Sequence, residues 1–174
     1  MILVTGGCGF IGSHITDALI NKKHKVVVMD NLSSGNLKNL NSKAEFIKGD
    51  ITNRDDIEAI FNRFPIDAVC HHAAQISVAV SMENPLFDVN TNIIGIINLL
   101  QACSKYKVKR FVFASSAAIY GNPVYLPIDE EHPKNPLSFY GLSKLTSEQC
   151  IRIFAENRVQ ELLEKAPAMA KDIE

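Results

Sequence analysis

The sequence predicts an α/β fold, a doubly wound parallel sheet of about five strands. Two observations favour this class: short apolar runs alternate with segments of helical periodicity, and a glycine-rich turn joins the first run to the first helix. The apolar runs are nearly continuous, which is typical of strands covered on both faces. Because the chain has 174 residues, it is long enough for one domain with a hydrophobic core. The expected fold is therefore Rossmann-like.

The elements follow in order along the chain. The predicted strands are residues 2–4, 26–29, 45–47, 68–70 and 111–114. The first helix follows the glycine turn, and its expected apolar face consists of Ile11, Ile15, Ala18 and Leu19. The other predicted helices are residues 55–64, 87–106 and 140–157. The Ser-, Asn- and Gly-rich segment 31–41 and the proline-rich segment 121–136 are predicted loops.

The helix predicted over residues 87–106 has an unusually wide apolar arc. One stripe consists of Val89, Ile93, Ile96, Ile97 and Leu100. Ile94 and Leu99 extend the arc beyond what a helix facing a sheet needs. Two interpretations follow: deep burial inside one domain, or a helical interface between two copies of the chain.

Composition limits the partners of this chain. A net charge of −1 gives no global attraction to nucleic acid or to an anionic membrane, so we expect neither as a partner. The most apolar window, residues 93–100, is too short to cross a bilayer, and the N-terminus shows no secretory leader. The four cysteines form no C-x-x-C pair. These features predict a soluble, cytoplasmic protein with reduced thiols.

The turn between the first strand and helix predicts a phosphate site. Gly6, Gly9 and Gly12 follow a strand and open a helix. Small residues are needed here for a tight turn, for close approach of backbone to a pyrophosphate, and for close packing of helix on strand. The N-terminus of the helix offers free N–H groups and positive partial charge to the phosphates. The sequence therefore predicts a dinucleotide site.

Asp30 predicts which dinucleotide is bound. It ends the second strand, about twenty residues after the glycines, where a carboxylate accepts hydrogen bonds from the adenosine ribose. A carboxylate repels a ribose 2′-phosphate, and no arginine follows in residues 31–33. The predicted cofactor is NAD rather than NADP, although a loop-capping role for Asp30 is the alternative.

A candidate catalytic pair lies on the last predicted helix. Tyr140 and Lys144 are four residues apart and share a helical face, where a lysine ammonium favours the phenolate form of a tyrosine. Ser115 and Ser116 follow the fifth strand, at the edge where doubly wound sheets bind ligands. We expect the Ser116 hydroxyl to hold a substrate oxygen. A loop hydroxyl bonded to backbone is an equal alternative for Ser115.

Together these motifs resemble the extended short-chain dehydrogenases/reductases, in particular nucleotide-sugar epimerases of the UDP-glucose 4-epimerase type. The resemblance covers residues 1 to about 155. It is carried by T-G-G-C-G-F-I-G-S-H from Thr5, D-N-L from Asp30, G-D-I from Gly49, H-H-A-A-Q from His71, A-S-S-A-A-I-Y-G from Ala114 and Y-G-L-S-K from Tyr140.

The resemblance implies roles for further residues. Asp50 and Ile51 would flank the adenine, Ala73 and Ala74 would line the pyrophosphate side, and Asn92 would lie near the nicotinamide ribose. The implied cofactor site also includes Phe10, Ile11, Asn31, Gln75 and Ser115, together with Tyr140 and Lys144. Ser116, Tyr140 and Lys144 would form the catalytic trio. His71 and His72 are interpreted as packing residues at a strand end, so no metal is expected.

The implied activity is epimerisation of a UDP-sugar at C4, in which bound NAD accepts a hydride and returns it. Sugar 4,6-dehydratases resemble this pattern less, because they carry an acidic residue where this chain has Ala117 and Ala118. Many 4-epimerases have a second hydroxyl residue in place of Ala118, which is a mild departure. The resemblance also implies a homodimer through the helices at 87–106 and 140–157.

The resemblance stops after Phe154. We expect an NAD-binding domain over residues 1–156 and a helical tail over 157–174, without the C-terminal lobe that grips the substrate in complete relatives. The tail is either an extension of the last helix or a segment that packs against the open edge of the fifth strand. Two functions follow: an epimerase represented by its N-terminal part, or a non-catalytic NAD-binding domain.

Overall fold

The structure, a computed structural model, describes the backbone through Lys171 and the side chains through Arg158. Five parallel strands form its sheet in the order β3-β2-β1-β4-β5. They are β1 (Ile2–Thr5), β2 (Val26–Asp30), β3 (Glu45–Lys48), β4 (Ala68–His71) and β5 (Arg110–Phe113). The order reverses between β1 and β4, so the carboxyl ends of these two strands flank the crevice where such sheets bind ligands. The predicted fold class is confirmed.

Six α-helices cover this sheet in the described residues. They are α1 (Phe10–Asn21), α2 (Arg54–Arg63), α3 (Val78–Glu83), α4 (Pro85–Val89), α5 (Gly95–Lys105) and α6 (Phe139–Lys171). Helix α3 was not predicted from the sequence, and the segment predicted as one α-helix contains α4, a π-helical stretch over Asn90–Ile94, and α5. The two predicted loops are present, the first with a short 3-10 turn at Leu37–Asn39.

Local signals explain where the helices begin and end. The Asn53 side chain accepts a hydrogen bond from the Asp55 backbone N–H and caps α2, which ends just before Pro65. The Asn84 side chain caps α4 in the same way, and Pro85 occupies the first turn of that helix, where its missing N–H costs nothing.

The hydrophobic core lies on both faces of the sheet. On one face, Leu3 and Val69 of adjacent strands pack with Ile60 of α2 and Leu99 of α5. On the other face, the smaller cluster consists of Val4, Cys8, Val26 and Val28. Alternate strand residues therefore enter opposite layers, as expected for strands buried on both sides.

Helix α1 packs only in part through the predicted face, because Leu19 contacts the smaller core cluster whereas Ala18 is exposed. Its buried residues are Gly12, Ser13 and Thr16, whereas Ile11 is exposed. The buried hydroxyls are satisfied within the helix, since Thr16 Oγ1 donates to the Gly12 carbonyl at 2.8 Å. Small residues allow α1 to approach the sheet closely, and Ile11 is left to face the cleft described below.

The wide apolar arc of α4 and α5 divides between core and surface. Leu99 and Ile96 are completely buried in the domain, whereas Phe87 and Ile94 are exposed. By length and composition alone, the segment Pro85–Lys105 could cross a membrane, but half of its most apolar window is buried in this fold, as in a core helix.

Helix α6 is longer than predicted. It continues past Asn157 to Lys171 without a break, which agrees with the interpretation of the tail as a helical extension. Arg158 Nη1 donates a hydrogen bond to the Val108 carbonyl, next to β5. Contacts of the later tail side chains, including the alternative of packing against β5, lie outside the described residues.

Candidate active site

A cleft of about 430 Å³ opens at the carboxyl ends of the strands. Fourteen of the predicted site residues line it: Gly6, Gly9, Phe10, Ile11, Gly12, Asp30, Asn31, Asp50, Ile51, Ala73, Ala74, Ser115, Tyr140 and Lys144. They come from segments that are far apart in sequence. The cleft forms because parallel strands present their carboxyl ends, and the loops that follow, at one edge of the sheet.

The glycine turn forms one wall of the cleft and is tightly packed. Gly6 has a φ of +68°, and a Cβ on it would lie 2.6 Å from the Ala73 nitrogen. A Cβ on Gly12 would lie 2.2 Å from the Gly6 carbonyl oxygen. A side chain at either position would therefore collide with backbone. Both glycines are required by the geometry, as the sequence motif predicts.

Helix α1 directs its N-terminus into the cleft. Its cap residue, Gly9, offers no side-chain acceptor, and the first turn contains no acidic residue. The first helical hydrogen bond runs from the Ser13 N–H to the Gly9 carbonyl, so the N–H groups of Phe10, Ile11 and Gly12 precede the ladder. Such groups, together with the helix dipole, suit the phosphates of a dinucleotide.

Asp30 lies at the end of β2 and has a structural role as well as a position on the cleft. One carboxylate oxygen accepts a hydrogen bond from the Cys8 N–H at 2.9 Å, and the other accepts from the Leu32 N–H at 2.8 Å. Gly35 packs against both oxygens, because a Cβ there would lie 3.0 Å from each. The carboxylate therefore ties the glycine turn to the loop after β2.

Asp50 and Asn31 close the end of the cleft near β2 and β3. Asn31 Nδ2 donates to Asp50 Oδ2 at 2.8 Å, and Thr52 donates twice to Asp50 Oδ1. Burial raises the pKa of the Asp50 carboxyl, but these hydrogen bonds outweigh burial and leave that pKa below its usual value. Ile51 is buried and supports this end of the cleft.

Two predicted cofactor residues, Gln75 and Asn92, do not line the cleft. Both residues are buried, and the Asn92 side chain bonds the backbone of Gln75: the Gln75 backbone N–H donates to Asn92 Oδ1 at 2.9 Å, and Asn92 Nδ2 donates to the Gln75 backbone carbonyl at 3.0 Å. Asn92 lies in the π-helical stretch, where its neighbour Thr91 reaches the cleft instead. Gln75 and Asn92 therefore support the wall of the cleft from its buried side.

Tyr140 and Lys144 begin α6 and share the predicted face. Lys144 Nζ lies 5.8 Å from the Tyr140 ring centre and 4.8 Å from that of Phe113, and it donates to the Ala114 carbonyl at 3.0 Å. The lysine is almost fully buried, and burial lowers its pKa to about 8, while the charge of Asp88 acts in the opposite direction. A buried ammonium beside a phenol is suited to proton transfer.

The two serines after β5 have different environments. Ser115 lines the cleft and donates to Glu148 Oε1 at 2.6 Å, and the other oxygen of Glu148 pairs with Lys134 at 2.8 Å. Ser116 is outside the cleft lining, and its Oγ accepts from the Ala118 N–H at 3.2 Å as the cap of a 3-10 turn. The prediction that Ser116 holds substrate therefore has no direct geometric support, whereas Ser115 has the more accessible position.

The two consecutive histidines at the end of β4 have different environments. His71 is 2% exposed, with Nδ1 2.7 Å from Thr5 Oγ1 and its ring stacked on Phe113. Burial, followed by the charge of Lys144, lowers the pKa of His71 to about 3. The ring is thus a neutral packing group, as predicted for His71. His72, in contrast, lines the cleft.

The sequence analysis also missed several cleft residues. They are Ser33, Ser34, Gly35, Gly49, His72, Ile76, Thr91 and Ala114. The Ser-Ser-Gly run directly after the strand-end Asp30 was a usable signal, because small residues there leave room for a ligand.

Comparison with known proteins agrees with this geometry. The model of the GDP-mannose 4,6 dehydratase family matches residues 3–161. The chain belongs to this family. Within it, the relatives that resemble the chain are 4-epimerases, which confirms the predicted resemblance to nucleotide-sugar epimerases.

Two curated relatives show how similar the chain is to known 4-epimerases and how much of their length it covers. A Methanocaldococcus jannaschii protein, provisionally named UDP-glucose 4-epimerase, is 52% identical over 155 residues, which cover 88% of this chain and 50% of the relative. The UDP-glucose 4-epimerase of Streptococcus mutans is 43% identical over 153 residues, or 87% of this chain and 46% of that enzyme. The chain therefore spans about half the length of these relatives.

Solved structures of the family show the same fold. The Thermotoga maritima UDP-glucose 4-epimerase with UDP-glucose has a TM-score of 0.87 and 46% identity, over 89% of this chain and 51% of that one. The Thermus thermophilus UDP-glucose 4-epimerase in complex with NAD has a TM-score of 0.87 and 40% identity, over 90% and 51% respectively.

Proposed function

We propose that the chain is the NAD-binding part of an NAD-dependent UDP-sugar 4-epimerase, most similar in type to UDP-glucose 4-epimerase. The observation that carries the proposal is the single cleft in which the glycine turn, Asp30, Tyr140 and Lys144 meet. The relatives at 52% and 43% identity carry the 4-epimerase name, and the Thermus thermophilus neighbour was solved with NAD.

The residues present fit NAD. The amides of residues 10–12 and the part of the cleft that the glycine turn lines would hold the pyrophosphate. Asp30 would accept hydrogen bonds from the adenosine ribose with its remaining lone pairs, and its negative charge disfavours a 2′-phosphate. Asp50 and Ile51 would flank the adenine, and Ala73 and Ala74 would lie along the pyrophosphate.

The catalytic pair would move one proton. In the oxidative half of the reaction, Tyr140 as phenolate takes the proton of the sugar 4-hydroxyl, and in the return step it gives the proton back. The Lys144 ammonium stabilises the phenolate, and its hydrogen bond to the Ala114 carbonyl fixes its position. Ser115 or Ser116 would hold the sugar oxygen. When bound, NAD would supply reversible hydride transfer, in which C4 of the sugar loses a hydride and regains it on the opposite face of the sugar ring.

The alternative is a non-catalytic NAD-binding domain. The residues that match the relatives span about half the length of each relative. Positioning of a substrate contributes many kcal/mol to catalysis, and a chain without the groups that grip the nucleotide would bind cofactor without turnover.

A coupled assay of UDP-galactose conversion, run beside calorimetric titration with NAD, tests both functions. The epimerase proposal expects NAD binding and turnover, with a loss of roughly 10²–10⁴-fold in the Tyr140→Phe variant at unchanged NAD affinity. NAD binding without turnover would favour the non-catalytic alternative. Full activity of Tyr140→Phe would contradict the role of the tyrosine.

We also propose a homodimer in the cytoplasm, formed through the helical segments over residues 87–106 and 140–157. Exposed apolar side chains on these segments include Phe87, Ile94 and Leu142, which would be covered by a second copy. Mass measurement in solution should give twice the chain mass. A monomer at micromolar concentration would contradict the dimer.

A further inference from the structure

A buried polar network lies behind the wall of the cleft, and Asp88 of α4 is its centre. Its side chain is completely buried, and Asp88 Oδ1 accepts hydrogen bonds from Gln75 Nε2 at 2.8 Å and Asn92 Nδ2 at 3.1 Å. Asn92 Nδ2 also lies within 3.3 Å of Ser143 Oγ, next to Lys144 in α6. The network thus joins the loop after β4 to the helix that carries the catalytic pair.

The second oxygen of this carboxylate has an unusual environment. Asp88 Oδ2 is buried and has no hydrogen-bond partner among the described residues. Removing a carboxylate from water is costly unless an opposite charge or further hydrogen bonds compensate. Two neutral amide donors on Oδ1 compensate only in part. A positive charge nearby would compensate for the rest of this cost.

Lys144 is the complementary group. Its ammonium is buried, and it contacts neutral groups: the Ala114 carbonyl and the rings of Phe113 and Tyr140. No ion pair joins it to a carboxylate among the side chains described through residue 158. Charges act over longer distances in a protein interior than in water, so the field of Asp88 reaches it.

The groups around Lys144 differ in how they affect the pKa of its ammonium, and the Asp88 carboxylate is the one that raises it. Burial lowers the pKa of Lys144 to about 8, and the charge of Asp88 raises it. The other titratable groups that face the ammonium are Tyr140 on its own helix, His71 at the end of β4 and His72 directly after it. Both histidines would oppose the ammonium if protonated. Asp88 is thus the group that favours the charged lysine.

We propose that Asp88 is a positioning residue for Lys144: its buried carboxylate keeps the lysine in its ammonium form, and its hydrogen bonds hold the helix of the catalytic pair against the loop after β4. The proposal rests on the proposed function for what the ammonium does, which is to stabilise the phenolate of Tyr140. The effect of the Asp88 charge on Lys144, which we call the counter-charge, does not require the cofactor.

Asp88→Asn separates charge from hydrogen bonding. An asparagine whose carbonyl takes the place of Oδ1 retains both accepted bonds, and no donor to Oδ2 is lost, because none is present. The control is Glu83→Gln, which removes one negative charge from the exposed end of α3, five residues away. Asp88→Ser is a second neutral variant, in case the asparagine variant does not fold.

The readout is NMR titration of the full chain with lysine labelled at Cε, in the absence of NAD. The Lys144 signal is identified by its absence from a Lys144→Met variant. In a neutral variant at position 88, we expect the titration midpoint of Lys144 to fall by about 1 pH unit or more. At pH 7 the uncharged fraction would rise from about one tenth to about one half.

Each outcome is decisive. A lower midpoint in Asp88→Asn or Asp88→Ser, with Glu83→Gln unchanged, supports the proposal. A merely structural Asp88 would lower the melting temperature and leave the Lys144 midpoint at its wild-type value, and that result would overturn it. Because the titration requires no cofactor, failure of the chain to bind NAD would count against the proposed function and not against the counter-charge.

Discussion

The packing of the glycine turn gives the sharpest mutational prediction. In Gly12→Ala, the new Cβ would lie 2.2 Å from the Gly6 carbonyl oxygen and 2.9 Å from the Gly7 Cα, both backbone atoms. Because the backbone cannot rotate away, α1 must move by about 1 Å from the sheet to reach ordinary contact. Overpacking of this kind costs about 1–3 kcal/mol of unfolding free energy. The melting temperature should then fall by several degrees, on the order of 5 °C.

Gly9→Ala is the matched control for this substitution. Its Cβ would lie 3.2 Å from the Gly6 carbonyl oxygen, a contact that a shift of a few tenths of an ångström relieves. The stability of Gly9→Ala should therefore stay close to that of wild type. Both variants should lose NAD affinity, because the added methyl group of Gly9→Ala and the displaced helix of Gly12→Ala would each block the pyrophosphate. Urea unfolding and calorimetric titration with NAD measure the two effects. Equal stability of Gly12→Ala and Gly9→Ala would refute the packing argument.

Three further variants test other parts of the fold and cleft. Asp30→Ala removes two charge-assisted hydrogen bonds to backbone, so the unfolding free energy should drop by about 3 kcal/mol. The affinity for NAD should drop as well. If neither quantity changed, the assignment of Asp30 to both the fold and the cofactor site would be contradicted. The pKa of the Asp50 carboxyl is lower in the folded chain than its unfolded value of 3.8, so the ionised carboxylate stabilises the fold above pH 3.8, and this stabilisation is lost as pH falls through the lower folded pKa. The difference in unfolding free energy between wild type and Asp50→Asn should therefore narrow in acid. A difference that does not depend on pH would disprove the argument. Leu99→Ala should cost about 2–5 kcal/mol in urea unfolding, against about 0.5 kcal/mol or less for the exposed Val124→Ala; similar values would refute the assigned core.

Much of the cleft was predictable because its chemistry depends on local backbone geometry. The positive φ of Gly6, the close contact at Gly12 and the strand-end position of Asp30 are properties of a short βαβ segment. Tyr140 and Lys144 were predictable because spacing on a helix fixes their common face. In each case the sequence determines the neighbours directly.

The remaining features depend on contacts between distant segments. The exposure of Ile11 follows from the close approach of α1 through Gly12 and Thr16, which helical periodicity alone does not reveal. Asn92 turns away from the cleft because its side-chain amide bonds the backbone of Gln75, seventeen residues earlier, and the Gln75 amide donates to the buried Asp88. The π-helical stretch over Asn90–Ile94 shifts the register of the helix and brings Thr91 to the cleft. Such pairings have no signature in a single sequence.

A crystal structure of the chain grown with NAD tests the central claim most directly. We predict pyrophosphate oxygens within about 2.7–3.2 Å of the backbone nitrogens at the start of α1, with the adenosine ribose against Asp30 and the nicotinamide toward Tyr140. Crystals grown at saturating NAD whose cleft is filled by protein side chains, or in which the dinucleotide lies elsewhere, would contradict it.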